Sequence, residues 1–246
     1  MQPDFIEGPN GAIACDALPG TPPTVVFLGG LRSDMTGTKA SFLRTICAAR
    51  GQAFLRFDYS GHGASAGRFE DGTIGAWTAD SLAAIAARTE GMLVLVGSSM
   101  GGWVMLEVAL AIPARIAALV GIAAAPDFTE ELLWEAFDAG QREALLRDGV
   151  VTVPNPYDPA GYRIGRALIE EGRTRLRLRG PIPINAPVRL LHGQRDAEVP
   201  WRTALRLADR LASEDVRVTL VKDGDHRLSR EADLALLAAT LSPLLG

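Results

Sequence analysis

Residues 95–103 read LVGSSMGGW, an apolar strand-like run that breaks into serine and glycine within a few positions. Spacing separates the two serines. Gly97 and Gly101 flank Ser99 in the pattern G-x-S-x-G, whereas Ser98 has Val96 where the first glycine would stand. A strand-to-helix turn sharp enough to lift a side chain off the sheet puts its apex residue in a strained backbone conformation. Side chains two positions away would crowd it, so glycine is expected on both sides. A phosphate-binding turn would instead want G-x-G-x-x-G or a lysine after the glycines, and neither follows here.

Outward from this stretch, short runs rich in valine, leucine and phenylalanine alternate with longer helical patterns. Strands are predicted at Thr24 to Leu28, Ala53 to Asp58, Leu93 to Gly97, Ala117 to Ala123, Val188 to His192 and Val216 to Val221, with Gly11 to Leu18 as an antiparallel edge. Helices are predicted at Lys39 to Ala49, Ile74 to Arg88, Met100 to Leu110, Trp201 to Leu211 and Ser229 to Leu244. Strands joined by crossover helices make an α/β fold, a doubly wound and mostly parallel sheet, and 246 residues suit one such domain over 1–246. The alternation lapses at about 126–186. There helix-like stretches (Thr129 to Phe137, Gln141 to Arg147, Gly161 to Glu171) are separated by VPNPYDP and GPIPINAP, too proline-rich for a strand or a long helix. A long insertion in a compact fold predicts a small helical lid over a site.

Composition narrows the partners. A formal net charge of −4 arises from interleaved acids and bases with no basic stripe, which argues against nucleic acid. The run Arg173, Arg175, Arg177, Arg179 reads as a solvated face or a contact with nearby acids. No apolar run is long enough to span a membrane, and Met1 to Asn10 lacks a basic end and an apolar signal core, so cytoplasm is the expected location. Cys15 and Cys47 lack metal or redox spacing and read as small buried hydrophobes. Oligomeric state is left open.

A serine hydroxyl needs a base to become a nucleophile near neutral pH, and the base needs a group to orient it. Of the three histidines, His192 and His62 read as locally hydrogen-bonded, while His226 in KDGDHRLS follows the last predicted strand and precedes the last helix. The order Ser, acid, His then points to Asp196, just past the strand Val188 to His192. Glu198 is the nearest rival, Asp127 a fallback, and Asp223 and Asp225 stand too close to His226 in sequence to reach its ring from the correct side. An oxyanion on the substrate needs two N–H donors. Met100 follows the nucleophile, and Leu31 follows the Gly29–Gly30 pair in the loop GGLRSDMTG, although those glycines would also serve a plain turn. Trp134, Phe137, Tyr157 and Tyr162 are the candidate acyl-binding residues of the lid, with packing on the main domain as the alternative for each; Trp103 reads as core.

These residues together resemble the α/β-hydrolase superfamily, and within it the acyl-glucuronide esterase and palmitoyl-protein thioesterase group. The stretches that carry the resemblance are GTKASFL, RFDYSGHGASAG, LVGSSMGGW, RLLHGQRDAEVPW and DHR, in order from Gly37 to Arg227. The resemblance implies Ser99 as nucleophile, Asp196 as acid and His226 as base. It further implies hydrolysis of carboxylic esters or acyl thioesters, small molecules or an acylated protein, without metal or cofactor. The lid matches less well, and no transit segment is read at the start, so the group's substrate and mitochondrial location are not carried over. Acyl transfer, perhydrolysis or carbon–carbon hydrolysis on the same fold are the alternatives. A binding protein that had lost the chemistry would be expected to lack one of the three residues, and all three are present. Haloalkane dehalogenation is disfavoured, since it would need a carboxylate at position 99.

Overall fold

The computed structural model describes the backbone of residues 3–155 and 158–246 and the side chains of 3–153 and 161–246. Eight strands form one sheet. In chain order they are β1 (Asp4–Gly8), β2 (Gly11–Leu18), β3 (Thr21–Leu28), β4 (Gln52–Phe57), β5 (Leu93–Ser98), β6 (Ile116–Ile122), and, beyond a two-stranded ribbon of β7 (Val150–Asn155) and β8 (Asp158–Gly165), β9 (Val188–Gly193) and β10 (Val216–Val221). Across the sheet the order is β1-β2-β4-β3-β5-β6-β9-β10. From β4 to β10 every pairing is parallel, while β1 and β2 are antiparallel additions at one edge. The edge expected at Gly11 to Leu18 is therefore present, and β1 extends it through a tight turn that ends at Gly11, whose φ of +111° suits glycine.

Central strands are apolar without alternation because both faces are covered. Val26, Leu28 and Leu95 pack on one face with α2 (Ile74–Arg88), α3 (Met100–Ala111) and α6 (Arg202–Arg210). Val25, Phe27, Val94 and Val96 pack on the other with α1 (Thr38–Arg50) and α7 (Glu231–Leu241). Apart from Glu107, helix α3 is apolar all round, and its residues from Met100 to Ala109 are buried. Trp103, wholly buried, is core as expected, and so are Cys15 and Cys47, whose thiols burial pushes up to about 11. Among the described residues, no helix is long and apolar enough to cross a membrane.

The excursion between β6 and β9 differs from the all-helical expectation. It carries a π-helical turn (Thr129–Trp134), α4 (Ala139–Asp148), the β7–β8 ribbon, and α5 (Arg166–Gly172). Proline had argued against strands at 153–159, yet each strand of a two-stranded ribbon keeps one unpaired edge where a missing N–H breaks nothing. The segment expected to be helical from Gly161 is strand until Gly165, and Gly161 itself has φ +72°. Both ends of the excursion are fastened. Asp127, at φ +62°, accepts the N–H groups of Arg177 and Leu178 at 2.6 and 2.9 Å, and buried Glu107 of α3 pairs with Arg177 and Arg175. Arg173 pairs with Glu130, so three of the four arginines in the basic run contact acids rather than forming a free cationic face.

Candidate active site

The loops that carry Ser99, Asp196 and His226 follow β5, β9 and β10 at the carboxyl end of the parallel strands, where open α/β sheets place their ligands. Ser99 stands between β5 and α3 at φ 54°, ψ −121°, the strained conformation expected of a serine at such an apex. Its glycine neighbours are required for a slightly different reason than crowding of Ser99. A Cβ on Gly97 would strike the Gly101 carbonyl, and one on Gly101 would strike the Leu28 carbonyl of β3. The turn is pinned to the end of β6: Ser99 N–H donates to Ile122 O at 2.9 Å and Ala125 N–H donates to Ser99 O at 3.0 Å. Ser98 is buried beside it.

Three elements distant in sequence meet at the hydroxyl. Ser99 Oγ lies 3.0 Å from His226 Nε2, and His226 Nδ1 lies 2.8 Å from Asp196 Oδ2. The carboxylate is fully enclosed: Oδ1 accepts the N–H groups of Glu198 and Val199, and Oδ2 also faces His192 Nε2 at 3.1 Å. Burial acts to raise the Asp196 carboxyl, but the hydrogen bonds from His192 and His226 outweigh it and hold the group well below the usual carboxylate range. His192 Nε2 also faces Val199 O at 3.0 Å, which fixes its proton on that nitrogen. A hydroxyl, an imidazole and an ionised carboxylate in this order can pass a proton from oxygen to nitrogen while the carboxylate stabilises the resulting cation.

None of the rival acids is paired with His226 Nδ1. Glu198 Oε2 is 3.7 Å from Nε2, on the hydroxyl side of the ring. Asp127 is occupied in the excursion, Asp223 pairs with Arg230, and Asp225 accepts the N–H of Leu228. His62 is hydrogen-bonded within its own neighbourhood, as expected.

A cavity of about 480 Å³ opens over Ser99 and His226, lined also by Leu31 and Met100. Its apolar wall comes largely from the excursion: Phe128, Leu132, Leu133, Val153 and Tyr162. Its polar wall comes from Ser33, Asp34, Thr38 and Lys39 beyond β3 and from Arg227 and Ser229 beyond β10. Of the aromatic residues expected to bind an acyl group, the structure brings Tyr162 to the cavity. Trp134 is instead stacked under the guanidinium of Arg173, 4.4 Å away, and packs edge-on with buried Phe137, so neither is in the lining. Tyr157 lies outside the described residues.

Sequence reasoning passed over Leu132, Leu133 and Lys39. The leucines sit in a π-helical turn whose facing direction a 3.6-residue period does not give. Lys39 donates to Arg227 O and Ser229 Oγ, and burial lowers its pKa to about 8. Nothing in its sequence surroundings signals that burial.

With this fold and this constellation in place, similarity to known proteins gives the class. Residues 23–146 match the family model described as serine aminopeptidase, S33, and the chain belongs to that α/β-hydrolase family. Within it, the chain is 42% identical over 240 residues to mouse palmitoyl-protein thioesterase ABHD10, mitochondrial, covering 97% of this chain and 80% of that protein. The human counterpart is 40% identical over 234 residues, covering 95% and 76%. The solved structure of mouse alpha/beta hydrolase domain-containing protein 10 superposes with a TM-score of 0.90 at 40% identity, over 99% of this chain and 98% of that one. Est1E from Butyrivibrio proteoclasticus, solved with ferulic acid bound, shares the fold at a TM-score of 0.81 and 20% identity, over 98% and 96%. The names of the mammalian relatives place them in mitochondria, which does not match the cytoplasmic expectation for this chain.

Proposed function

We propose that this protein is a serine hydrolase that cleaves carboxylic esters or acyl thioesters through an acyl-enzyme on Ser99. The observation that carries this reading is the unbroken sequence of contacts from Ser99 Oγ through His226 to the ionised Asp196. His226 Nε2 takes the hydroxyl proton as Oγ attacks the acyl carbon, Asp196 holds the proton on Nδ1, and the imidazolium formed is stabilised by the carboxylate. The N–H groups of Met100 and Leu31 receive the carbonyl oxygen as it becomes an oxyanion. Collapse expels the alkoxide or thiolate, which leaves with the proton from Nε2. Water then gives its proton to the same nitrogen as it attacks the acyl carbon; collapse breaks the acyl–Oγ bond, the proton on Nε2 passes to Ser99 Oγ, and the acid leaves.

An apolar acyl chain fits the wall made by Leu132, Leu133, Val153 and Tyr162, and a palmitoyl thioester is the substrate named for the mammalian relatives. The excursion, at about 126–186, thus serves as the lid of one α/β-hydrolase domain. The cytoplasm is the proposed location, unlike the mitochondria named for the mammalian relatives; fractionation of source cells with the activity in a membrane-bounded organelle would count against it. Function is tested by hydrolysis of p-nitrophenyl esters and acyl thioesters by native protein and Ser99→Ala. The variant is expected to lose on the order of a millionfold in kcat, the scale of nucleophile removal in a comparable triad. Retention of most activity would contradict the proposal.

A further inference from the structure

His62 has no part in the proton transfer described above, yet it touches the loop that supplies an oxyanion donor. It stands beyond β4, is 4% exposed, and has its ring edge-on to Tyr59, Phe69 and Trp77. Nδ1–H donates to Ser60 O at 3.2 Å, which leaves Nε2 as an acceptor, and Nε2 accepts the backbone N–H of Arg32 at 3.1 Å. Burial lowers the pKa of the ring to about 4, so that Nε2 keeps its lone pair at neutral pH.

Arg32 immediately follows Leu31. It is the third residue of a turn closed by Ser33 N–H on Gly30 O at 3.1 Å, and its φ is +54°. The third position of a type II turn demands that region, and glycine usually fills it. Arginine there would relax by rotating the Leu31–Arg32 peptide toward a negative φ, and the Arg32 N–H would then turn away from His62. The turn also abuts the nucleophile: a Cβ on Gly30 would sit 3.4 Å from that of Ser99. On its outer side the Arg32 guanidinium lies 5.0 Å from the ring of Phe69 and 5.3 Å from that of Tyr162, which ties the same turn to β8 of the excursion.

We infer that His62 is a positioning residue for the oxyanion hole: by accepting the Arg32 N–H it anchors the Gly30–Ser33 turn at its third residue, and so fixes in place the turn whose second residue, Leu31, offers its N–H to the substrate oxygen. This rests on the Ser99 reading above. Donor aim is worth much of what a donor contributes, because the stabilisation depends on a fixed short distance to the developing charge.

The test uses the whole chain with His62→Gln, His62→Asn and His62→Phe, and with Ser99→Ala as control, measuring kcat and KM on a p-nitrophenyl ester beside melting curves. A Gln amide reaches roughly the place of Nε2, an Asn amide only that of Nδ1, and Phe preserves the ring packing with no acceptor. His62→Gln is expected to stay within about fivefold of native kcat, and the Asn and Phe variants to fall about 30- to 100-fold with KM within about threefold, somewhat below the loss from deleting a donor. Adding Arg32→Gly to His62→Phe removes the strain and should recover at least about tenfold. If His62→Phe does not fold, the Gln and Asn pair still decides, compared at equal folded protein. Near-native kcat in the Asn and Phe variants, or equal losses in Gln and Asn, would overturn the inference alone as long as Ser99→Ala is inactive. Activity surviving in Ser99→Ala would overturn the nucleophile reading and this inference with it.

Discussion

At Asp196 two imidazoles share one carboxylate oxygen, with His226 Nδ1 at 2.8 Å and His192 Nε2 at 3.1 Å from Oδ2. Sequence order was enough to single out Asp196 and His226, because each follows its strand at the carboxyl end of the sheet. The second imidazole was visible only as a histidine four residues upstream. His62 offers a pH test at the same scale. Its ordinary value of 6.5 falls to about 4 in the folded chain, through burial and the nearby Arg32 charge, against the opposing effects of the Ser60 carbonyl and Asp80. Between those values the unfolded chain takes up a proton that the folded chain refuses, so stability present above pH 6.5 is lost as pH falls toward 4. Melting curves of the native protein should therefore drop over that window, and His62→Gln should lack that part of the fall. An identical pH profile in the two proteins would contradict a neutral, buried His62.

Among the elements, the turn from β5 to α3 was readable in position, since G-x-S-x-G is a steric statement, although the atoms that exclude a side chain at Gly97 and Gly101 are the Gly101 and Leu28 carbonyls rather than Ser99. The excursion was not. Its π-helical turn and its ribbon are set by tertiary contacts that periodicity does not encode, which is why Trp134 and Phe137 suggested themselves for the cavity while Leu132 and Leu133 line it. What ties the two ends of the excursion to each other is Asp127, bonded to the N–H groups of Arg177 and Leu178, while Glu107 of α3 holds the second end to the main body through Arg175 and Arg177. Asp127→Ala leaves both donors unpaired and should destabilise the protein by about 2 kcal/mol in urea unfolding. KM for long-chain esters should rise as well. A variant as stable as the native protein would show that the two hydrogen bonds do not hold the excursion.

Over the whole molecule, the doubly wound sheet brings loops from five strands to one edge, and the excursion adds an apolar wall to an otherwise polar rim. Fold class and the position of the core strands follow from hydrophobic pattern, and spacing and chain order single out Ser99, Asp196 and His226; the order of the strands across the sheet does not follow from either. Pocket shape does not, because it depends on which side chains of the excursion happen to face inward. If that wall receives the acyl chain, each methylene buried contributes about 0.8 kcal/mol, so kcat/KM on p-nitrophenyl esters should climb about three- to fourfold per carbon until the cavity is filled. Leu133→Asp should flatten that slope while leaving the acetate ester largely unaffected. A slope unchanged in the variant would place the acyl chain elsewhere.

The central claim is that Ser99 is the nucleophile, and the most direct measurement is mass mapping of the adduct left by a fluorophosphonate probe. The peptide containing Ser99 should carry the phosphonyl group in the native protein, and Ser99→Ala should carry none. An adduct on another residue, or no labelling of the folded native protein, would contradict the account.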